Sequence, residues 1–246
     1  MSKNLKNIDG KHTWKGKSFK IEVLFARAGL AQTIWVESDG SAILFDTGDG
    51  ALRDILEGDF DLNKLQAIFY THGHFDHIGG LYSLLGFFRM VGRTTNLTIA
   101  FPEGAAEIPS TARNFITLYQ KTMPFKIKLR PLKPFQKISL DDTTIEAFPM
   151  IHCGSVEGGR ILDPIPAYGY RISCDDESIA ISGDTGLCPE LSELIKGADL
   201  AILEATYRDS SEMSRQMLKR VHLSEDIARE MGQAAKEFLL IHKGKR

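Results

Sequence analysis

The sequence HGHFDH occupies residues 72–77 and places four metal-capable side chains within six positions. The run before it, residues 65–71, is rich in β-branched and aromatic side chains and predicts a buried strand. The apolar segment after it, residues 78–91, is long enough for a helix. One or two solvated histidines in a loop would be ordinary, but neither solvation nor packing explains four such side chains within residues 72–77. The sequence therefore predicts a tight strand-to-helix loop on which alternating side chains converge.

Polar residues also stand at the ends of other strand-like runs. His152, Asp184 and His242 each follow directly on such a run. In α/β folds, sites form at strand ends, because the sheet positions the side chains and its edge leaves them open. Imidazole and carboxylate together suit zinc, manganese or iron, so the sequence predicts a metal site.

The order HxHxDH, a later His, a later Asp and a last His resembles the metallo-β-lactamase-fold hydrolases. Three further segments match: residues 43–48 (ILFDTG), 182–186 (SGDTG) and 203–207 (LEATY). The resemblance runs from about residue 21 to the C-terminus. It implies an αββα sandwich, the metallo-β-lactamase fold, where periodicity alone supports only the α/β (α+β) class.

Within that superfamily the chain is similar to ribonuclease Z and its phosphodiesterase relatives. The similarity rests on residues 203–207, 222–224 (HLS), 240–242 (LIH) and 168–172 (YGYRI). His152 also lacks the Gly-His-Thr-Pro-Gly type of loop that glyoxalase II, lactonases and true β-lactamases carry at that position.

The resemblance implies a centre of two divalent ions, with zinc expected first and manganese or iron as alternatives. One ion would be held by His72, His74 and His152, the other by Asp76, His77 and His242, with Asp184 bridging them. A metal pair roughly 3.5–4 Å apart lowers the pKa of a bridging water and holds both oxygens of a phosphoryl displacement.

The same resemblance implies the catalytic groups. A metal-bridged hydroxide would be the nucleophile with Asp76 as its partner, and Glu204 would sit beside His222, the proton donor to the leaving oxygen. An alkoxide leaving group needs a proton, and imidazole has a suitable pKa. As alternatives, Glu204 is a buried strand-end acid and His222 a residue at a helix start. Asp46 either orients a ligand histidine or the loop backbone, or is a plain turn residue.

Length and composition fit one hydrolase domain over residues 1–246, with residues 1–18 as a loosely ordered leader. Hydrophobic content of 43% and charged content of 25% are ordinary for a soluble protein. The N-terminal residues lack a signal-peptide pattern and no apolar run is long enough to span a membrane. The three cysteines are unpaired in spacing, so we expect a cytoplasmic protein.

The pattern predicts two halves of mixed strands and helices, which meet at about residue 140. Strands are expected at 19–25, 32–37, 41–46, 65–71, 96–101, 126–130, 144–151, 168–173, 177–183, 199–204 and 237–241. Helices are expected at 50–57, 78–91, 110–122, 189–196, 209–219 and 224–235. Residues 153–167 predict a loop at the substrate mouth without helix or central strand, in which Arg160 either meets a phosphate or is solvated.

The natural substrate is less constrained. Classical ribonuclease Z carries an arm that grips transfer RNA between the positions of His152 and Asp184, and only 31 residues separate them here. The net charge of −2 is not typical of a strong nucleic-acid binder. The leading interpretation is a phosphodiesterase acting on RNA or a small molecule, without a membrane partner and with a homodimer suggested by the family. The alternatives are a small-molecule hydrolase of a cyclic phosphodiester or other ester, and a non-catalytic metal-binding module.

We expect about two metal ions per chain, because the candidate ligands exceed the four of one tetrahedral site. Elemental analysis of the folded protein after extensive dialysis measures this ratio, with circular dichroism as the check on folding. One tightly bound ion or none per folded chain would contradict the dinuclear centre.

Overall fold

The computed structural model describes residues 5–8, 11–156 and 160–244. The chain divides into two compact units, one ending at Pro131 and the other beginning at Leu132, close to the expected boundary near residue 140. Each unit contains one large sheet and the helices that pack on it.

The first unit has an eight-stranded sheet with strands in chain order. Its strands are β1 (Leu5–Ile8), β2 (Lys11–Lys15), β3 (Lys20–Arg27), β4 (Ala31–Ser38), β5 (Ser41–Phe45), β6 (Leu65–Phe69), β7 (Leu97–Pro102) and β8 (Ile127–Leu132). Its helices are α1 (Ala51–Glu57), α2 (Phe75–Ile78), α3 (Leu81–Met90) and α4 (Glu107–Tyr119), followed by a 3-10 turn at Gln120–Thr122. Strands β5, β6 and β7 are parallel, so their carboxyl ends open on one edge of the sheet.

The core of the first unit lies between this sheet and three helices. Ile55 of α1, Leu84 of α3 and Phe115 of α4 are buried in one cluster with Trp35 and Ile68 of the sheet. Apolar residues at positions 81, 84, 85 and 88 form the buried stripe of α3, which is the spacing of an amphipathic helix.

The second unit has a six-stranded sheet in the order β16-β15-β14-β13-β10-β9 and a separate two-stranded sheet, β11-β12. Its strands are β9 (Lys137–Leu140), β10 (Thr143–Pro149), β11 (His152–Val156), β12 (Arg160–Ile165), β13 (Tyr168–Cys174), β14 (Glu177–Ile181), β15 (Leu200–Glu204) and β16 (Glu237–Ile241). Its helices are α5 (Pro189–Ile195), α6 (Arg215–Arg220) and α7 (Glu225–Gly232), with a 3-10 turn at Ser210–Glu212. Strands β14, β15 and β16 are parallel, and every residue of β15 is buried.

All eleven predicted strands are found, but β1, β2 and β9 were not predicted. The helix expected at 209–219 is instead a 3-10 turn at Ser210–Glu212 followed by α6 at Arg215–Arg220. The expected loose leader is wrong over residues 11–15, because β2 pairs with β3 and buries Trp14; residues 5–8 pair with β2, and residues 1–4 and 9–10 lie outside the described residues. The lysines at both ends of β2 concealed this strand, which pairs with β1 on one side and β3 on the other. The loop expected at 153–167 is wrong over most of its length, because residues 152–156 and 160–165 pair as the hairpin β11-β12. This hairpin forms a separate two-stranded sheet, so the expectation of no central strand agrees with it, and residues 157–159 lie outside the described residues.

The predicted helix at 78–91 is divided into α2 and α3 by Gly79 and Gly80. A side chain at Gly80 would collide with the backbone carbonyl oxygens of Gly48 and Thr47, so the chain needs glycine for this close approach. Among the described residues, no helix is both long and apolar enough to cross a membrane.

Candidate metal centre

In the first unit, the HGHFDH segment and Asp46 follow two neighbouring parallel strands. Phe45 and Phe69 are register partners, so β5 and β6 end side by side. Helix α2 begins at Phe75, which places Asp76 and His77 on a one-turn helix where a loop was expected. The sheet edge and this short helix together hold the whole candidate ligand segment.

The carboxylate of Asp46 organises this edge. It is fully buried and accepts hydrogen bonds from the backbone nitrogen and the Oγ1 of Thr71 at 2.8 and 2.9 Å and from Nε2 of Gln32 at 2.9 Å. Nδ1 of His77 lies 2.7 Å from Asp46 Oδ2. Because an ionised carboxylate only accepts, His77 donates from Nδ1 and turns Nε2 away from Asp46. Asp46 thus contacts both a candidate ligand histidine and the loop backbone, and is more than a turn residue.

The imidazoles of the first unit lie close together. Nε2 of His72 is 3.0 Å from Nδ1 of His74, and the rings of His72 and His77 have centroids 4.0 Å apart. Nε2 of His77 lies 4.0 Å from Oδ2 of Asp76. Two nitrogens on one tetrahedral zinc, with bonds of about 2.0–2.1 Å, stand about 3.3 Å apart. The spacing of His72 and His74 therefore fits two ligands of one ion.

In the second unit, Glu204 ends the parallel strand β15, while Asp184 and His242 follow the parallel strands β14 and β16. Oδ1 of Asp184 is 3.3 Å from Nδ1 of His242, and Oδ2 is 4.0 Å from Nε2 of His152. Nδ1 of His152 lies 2.8 Å from the carbonyl oxygen of Val221. A carbonyl only accepts, so His152 donates from Nδ1 and leaves Nε2 towards Asp184, the arrangement typical of metal-ligating histidines.

In the second unit, the buried carboxylate of Glu204 is paired with the partly buried imidazole of His222. Nδ1 of His222 lies 2.9 Å from Oε1 of Glu204, which also accepts from the backbone nitrogen of Thr185 at 3.0 Å. Oε2 accepts from the backbone nitrogen and Oγ1 of Thr206 at 3.1 and 2.9 Å. Four donors thus meet the four lone-pair sites of one carboxylate. Burial, followed by the charge of Glu204, raises the pKa of the nearby Tyr207 phenol, so that side chain is neutral at ordinary pH.

Each unit brings its predicted site residues together. The first unit gathers His72, His74, Asp76 and His77, and the second gathers His152, Asp184, Glu204, His222 and His242. Candidate ligand atoms of Asp184, His222 and His242 all lie within 4.8 Å of one another, so the position of His222 suits a metal ligand as well as a proton donor. The remaining histidine, His12, lies on β2.

The sequence interpretation missed the residues that support these side chains. They are Gln32, Thr71, Thr185 and Thr206. Thr71 and Thr206 each stand two residues beyond the end of a strand, β6 and β15 respectively, and a hydroxyl side chain at such a position is the sequence signal that could have found them. Gln32 lies inside β4 and carries no comparable local signal.

Two sets of imidazole and carboxylate side chains at parallel strand ends are typical of the metal-dependent α/β proteins, because they could hold metal ions. Residues 42–242 match the family described as Beta-lactamase superfamily domain, and the chain belongs to that family. This membership confirms the resemblance drawn from the sequence.

Individual relatives agree with this membership. Ribonuclease Z of Acaryochloris marina is 28% identical over 240 residues, covering 81% of this chain and 75% of that protein. The crystal structure of the metallo-beta-lactamase fold protein YhfI from Bacillus subtilis has a TM-score of 0.71 at 24% identity, covering 94% of this chain and 88% of that one. Human tRNase Z, short form, has a TM-score of 0.74 at 21% identity, covering 92% and 93% of the two chains. The two solved structures confirm the α/β class and the metallo-β-lactamase fold.

We expect Asp46→Asn to weaken metal binding by roughly 10–100-fold, because the amide cannot accept from all four donors and releases the ring of His77. Titration of the metal-free protein with Zn²⁺ in competition with a chelator measures the change. Asp39→Asn is the matched control, because Asp39 also has a left-handed backbone, with a φ of 39° against 58° for Asp46. Asp39 is exposed in a turn, so the same substitution there should leave the site unchanged. Equal affinity of Asp46→Asn and the control would contradict a role for Asp46 in orienting His77.

Proposed function

We propose that this protein is a metal-dependent hydrolase of phosphodiester bonds with a ribonuclease Z-like centre. The observation that carries the proposal is the His222–Glu204 pair, 2.9 Å apart and beside Asp184, in a chain that is 28% identical to a ribonuclease Z. A protein that only binds metal ions needs ligands and no proton donor. A histidine held by a buried carboxylate next to those ligands supplies what the cleavage of an ester also needs, a positioned proton.

The proposed ligands fall into the sets expected from the sequence. His72, His74 and His152 would hold one ion, Asp76, His77 and His242 the other, and Asp184 would contact both. The divalent ions, zinc first and manganese or iron as alternatives, would supply charge to offset that of the phosphoryl oxygens and to favour ionisation of a water. The hydrogen bonds of His77 to Asp46 and of His152 to Val221 support these roles, because they orient each ring towards its ligand nitrogen.

His222 would donate the proton to the leaving oxygen. Its Nδ1 donates to Glu204, so the proton for the leaving oxygen would come from Nε2. Glu204 cannot turn away, because Thr185 and Thr206 hold both of its oxygens. The imidazole is also only partly buried, with 16% of the side chain exposed, so a substrate oxygen can approach it.

The second candidate is a small-molecule hydrolase, acting on a cyclic phosphodiester or another ester with the same centre. The shortness of the segment between His152 and Asp184, 31 residues, favours it over an enzyme that grips a folded RNA. A cytoplasmic location and a homodimer remain predictions; the three cysteines are free and buried, as expected in a reducing compartment.

A substrate panel on protein of defined metal content tests the proposal. We expect turnover of a chromogenic phosphodiester, bis-p-nitrophenyl phosphate, that is lost on chelation and restored by the metal. Parallel assays with an unstructured RNA and with 3′,5′-cyclic AMP separate the two candidates. A protein that keeps its metal and hydrolyses none of these esters would instead be the non-catalytic metal-binding module.

We expect His222→Ala to keep its metals and lose turnover by roughly 10²–10⁴-fold, whereas His242→Ala loses metal. The loss in His222→Ala should be smaller for a p-nitrophenolate leaving group, which hardly needs a proton. Rates on both kinds of ester, together with elemental analysis, measure these effects, and His12→Ala on β2 is the control. An equal loss on good and poor leaving groups would leave His222 a positional role only, and loss of metal from His222→Ala would make it a ligand.

A further inference from the structure

Phe75 is the exposed exception within a buried segment. Its relative exposure is 69%, whereas His72, Asp76 and His77 around it are at most 5% exposed. Water-exposed aromatic rings are unfavourable, and one in the middle of a metal-ligand segment differs from apolar residues scattered singly over a surface. The chain therefore presents an exposed aromatic side chain at the position between the candidate ligands His74 and Asp76.

The backbone holds Phe75 in place. The backbone nitrogen of Gly79 donates to the carbonyl oxygen of Phe75 at 2.8 Å and closes the single turn of α2. The nitrogen of Thr47 donates to the carbonyl oxygen of His77 at 2.7 Å, which ties α2 to the end of β5. Because this backbone is already fixed, only the side-chain torsions of Phe75 have to be ordered when its ring binds a ligand.

A second apolar side chain lies on the turn that contacts Asp76. The backbone nitrogen of Gly29 donates to Oδ2 of Asp76 at 2.9 Å, and Gly29 has a φ of 67°, which favours glycine. This bond brings the turn between β3 and β4 against α2. Leu30, the next residue, is 41% exposed. Two exposed apolar side chains, Phe75 and Leu30, thus belong to the two segments that this hydrogen bond joins.

We propose that Phe75 is a base-binding residue, whose ring stacks on the nucleobase of a nucleoside phosphate held by its phosphate at the metal centre, with Leu30 as an apolar neighbour. This inference rests on the proposed function and specifies its substrate class. Stacking between a base and an aromatic ring tolerates any base, because every base has a π-face. The protein would therefore prefer nucleotide diesters to alkyl diesters, without specificity for the identity of the base.

The contribution of the base to binding is measured by comparing three phosphate ligands: AMP, ribose 5-phosphate and inorganic phosphate. Their dissociation constants are measured by calorimetry on the metal-loaded protein. We expect the preference for AMP over ribose 5-phosphate to fall roughly 5- to 150-fold in Phe75→Leu, which keeps an apolar side chain but removes the π-face. The ribose 5-phosphate constant should change less than about twofold, since stacking does not contribute to it.

Two further variants complete this experiment. Phe75→Trp should restore the preference for AMP, because indole also stacks. Its new exposed tryptophan should be quenched by AMP and not by ribose 5-phosphate, while Trp14 and Trp35 are buried and should respond to neither. Leu118→Ala is the matched control, since Leu118 is 62% exposed on α4. An unchanged preference for AMP in Phe75→Leu would overturn the base-binding role, and so would an equal loss in Leu118→Ala.

Kinetic measurements distinguish which kind of diester substrate supplies the stacked base. The KM values of Phe75→Leu and the parent for an adenylyl dinucleotide and for 3′,5′-cyclic AMP are compared, and the substrate whose KM rises with Phe75→Leu carries the stacked base. A KM that rises for neither overturns the inference. If the parent hydrolyses no diester, the proposed function fails, whereas the binding preference for AMP still tests Phe75 independently.

Discussion

Both units depend on a buried carboxylate at the end of a parallel strand. A buried charge is costly unless hydrogen bonds replace the lost water, and Asp46 and Glu204 each accept from four donors. The donors come from a neighbouring strand, from the chain just beyond a strand end and from a histidine. The need to satisfy these two carboxylates therefore fixes the surrounding loops, and with them the imidazoles that the chemistry requires.

One hydrogen-bonding rule orients three histidines. His77, His152 and His222 each direct Nδ1 to an oxygen that can only accept, respectively of Asp46, Val221 and Glu204. Each ring therefore leaves Nε2 for another partner. In the proposed centre, this partner would be a metal ion for two of the rings and a leaving oxygen for the third, so the same local geometry serves two kinds of chemistry.

The backbone contributes as well. Asp46 and His242 have φ values of 58° and 53°, although neither is glycine, and each stands at the first position after a parallel strand. A left-handed residue there turns the chain sharply and directs its side chain to the sheet edge. Such conformations cost energy and are found where a site requires them. The exposed ring of Phe75 is a second kind of unfavourable feature in the same region, because burial of that ring would be more favourable.

The sequence by itself determined eleven of the fourteen strands described in the two large sheets, and the polar residues that end several of them, because hydrophobic periodicity and strand-end positions are local properties. It also predicted seven metal ligands, whereas the position of His222 beside Asp184 and His242 came only from the structure. Only the tertiary structure decided that Gln32 and Thr71 serve Asp46, that β2 buries Trp14, and that Asp76 and His77 lie on a helical turn. The reason is physical: hydrogen bonds between residues 14 to 25 positions apart exist only once β4, β5 and β6 have paired, and no local pattern specifies that pairing.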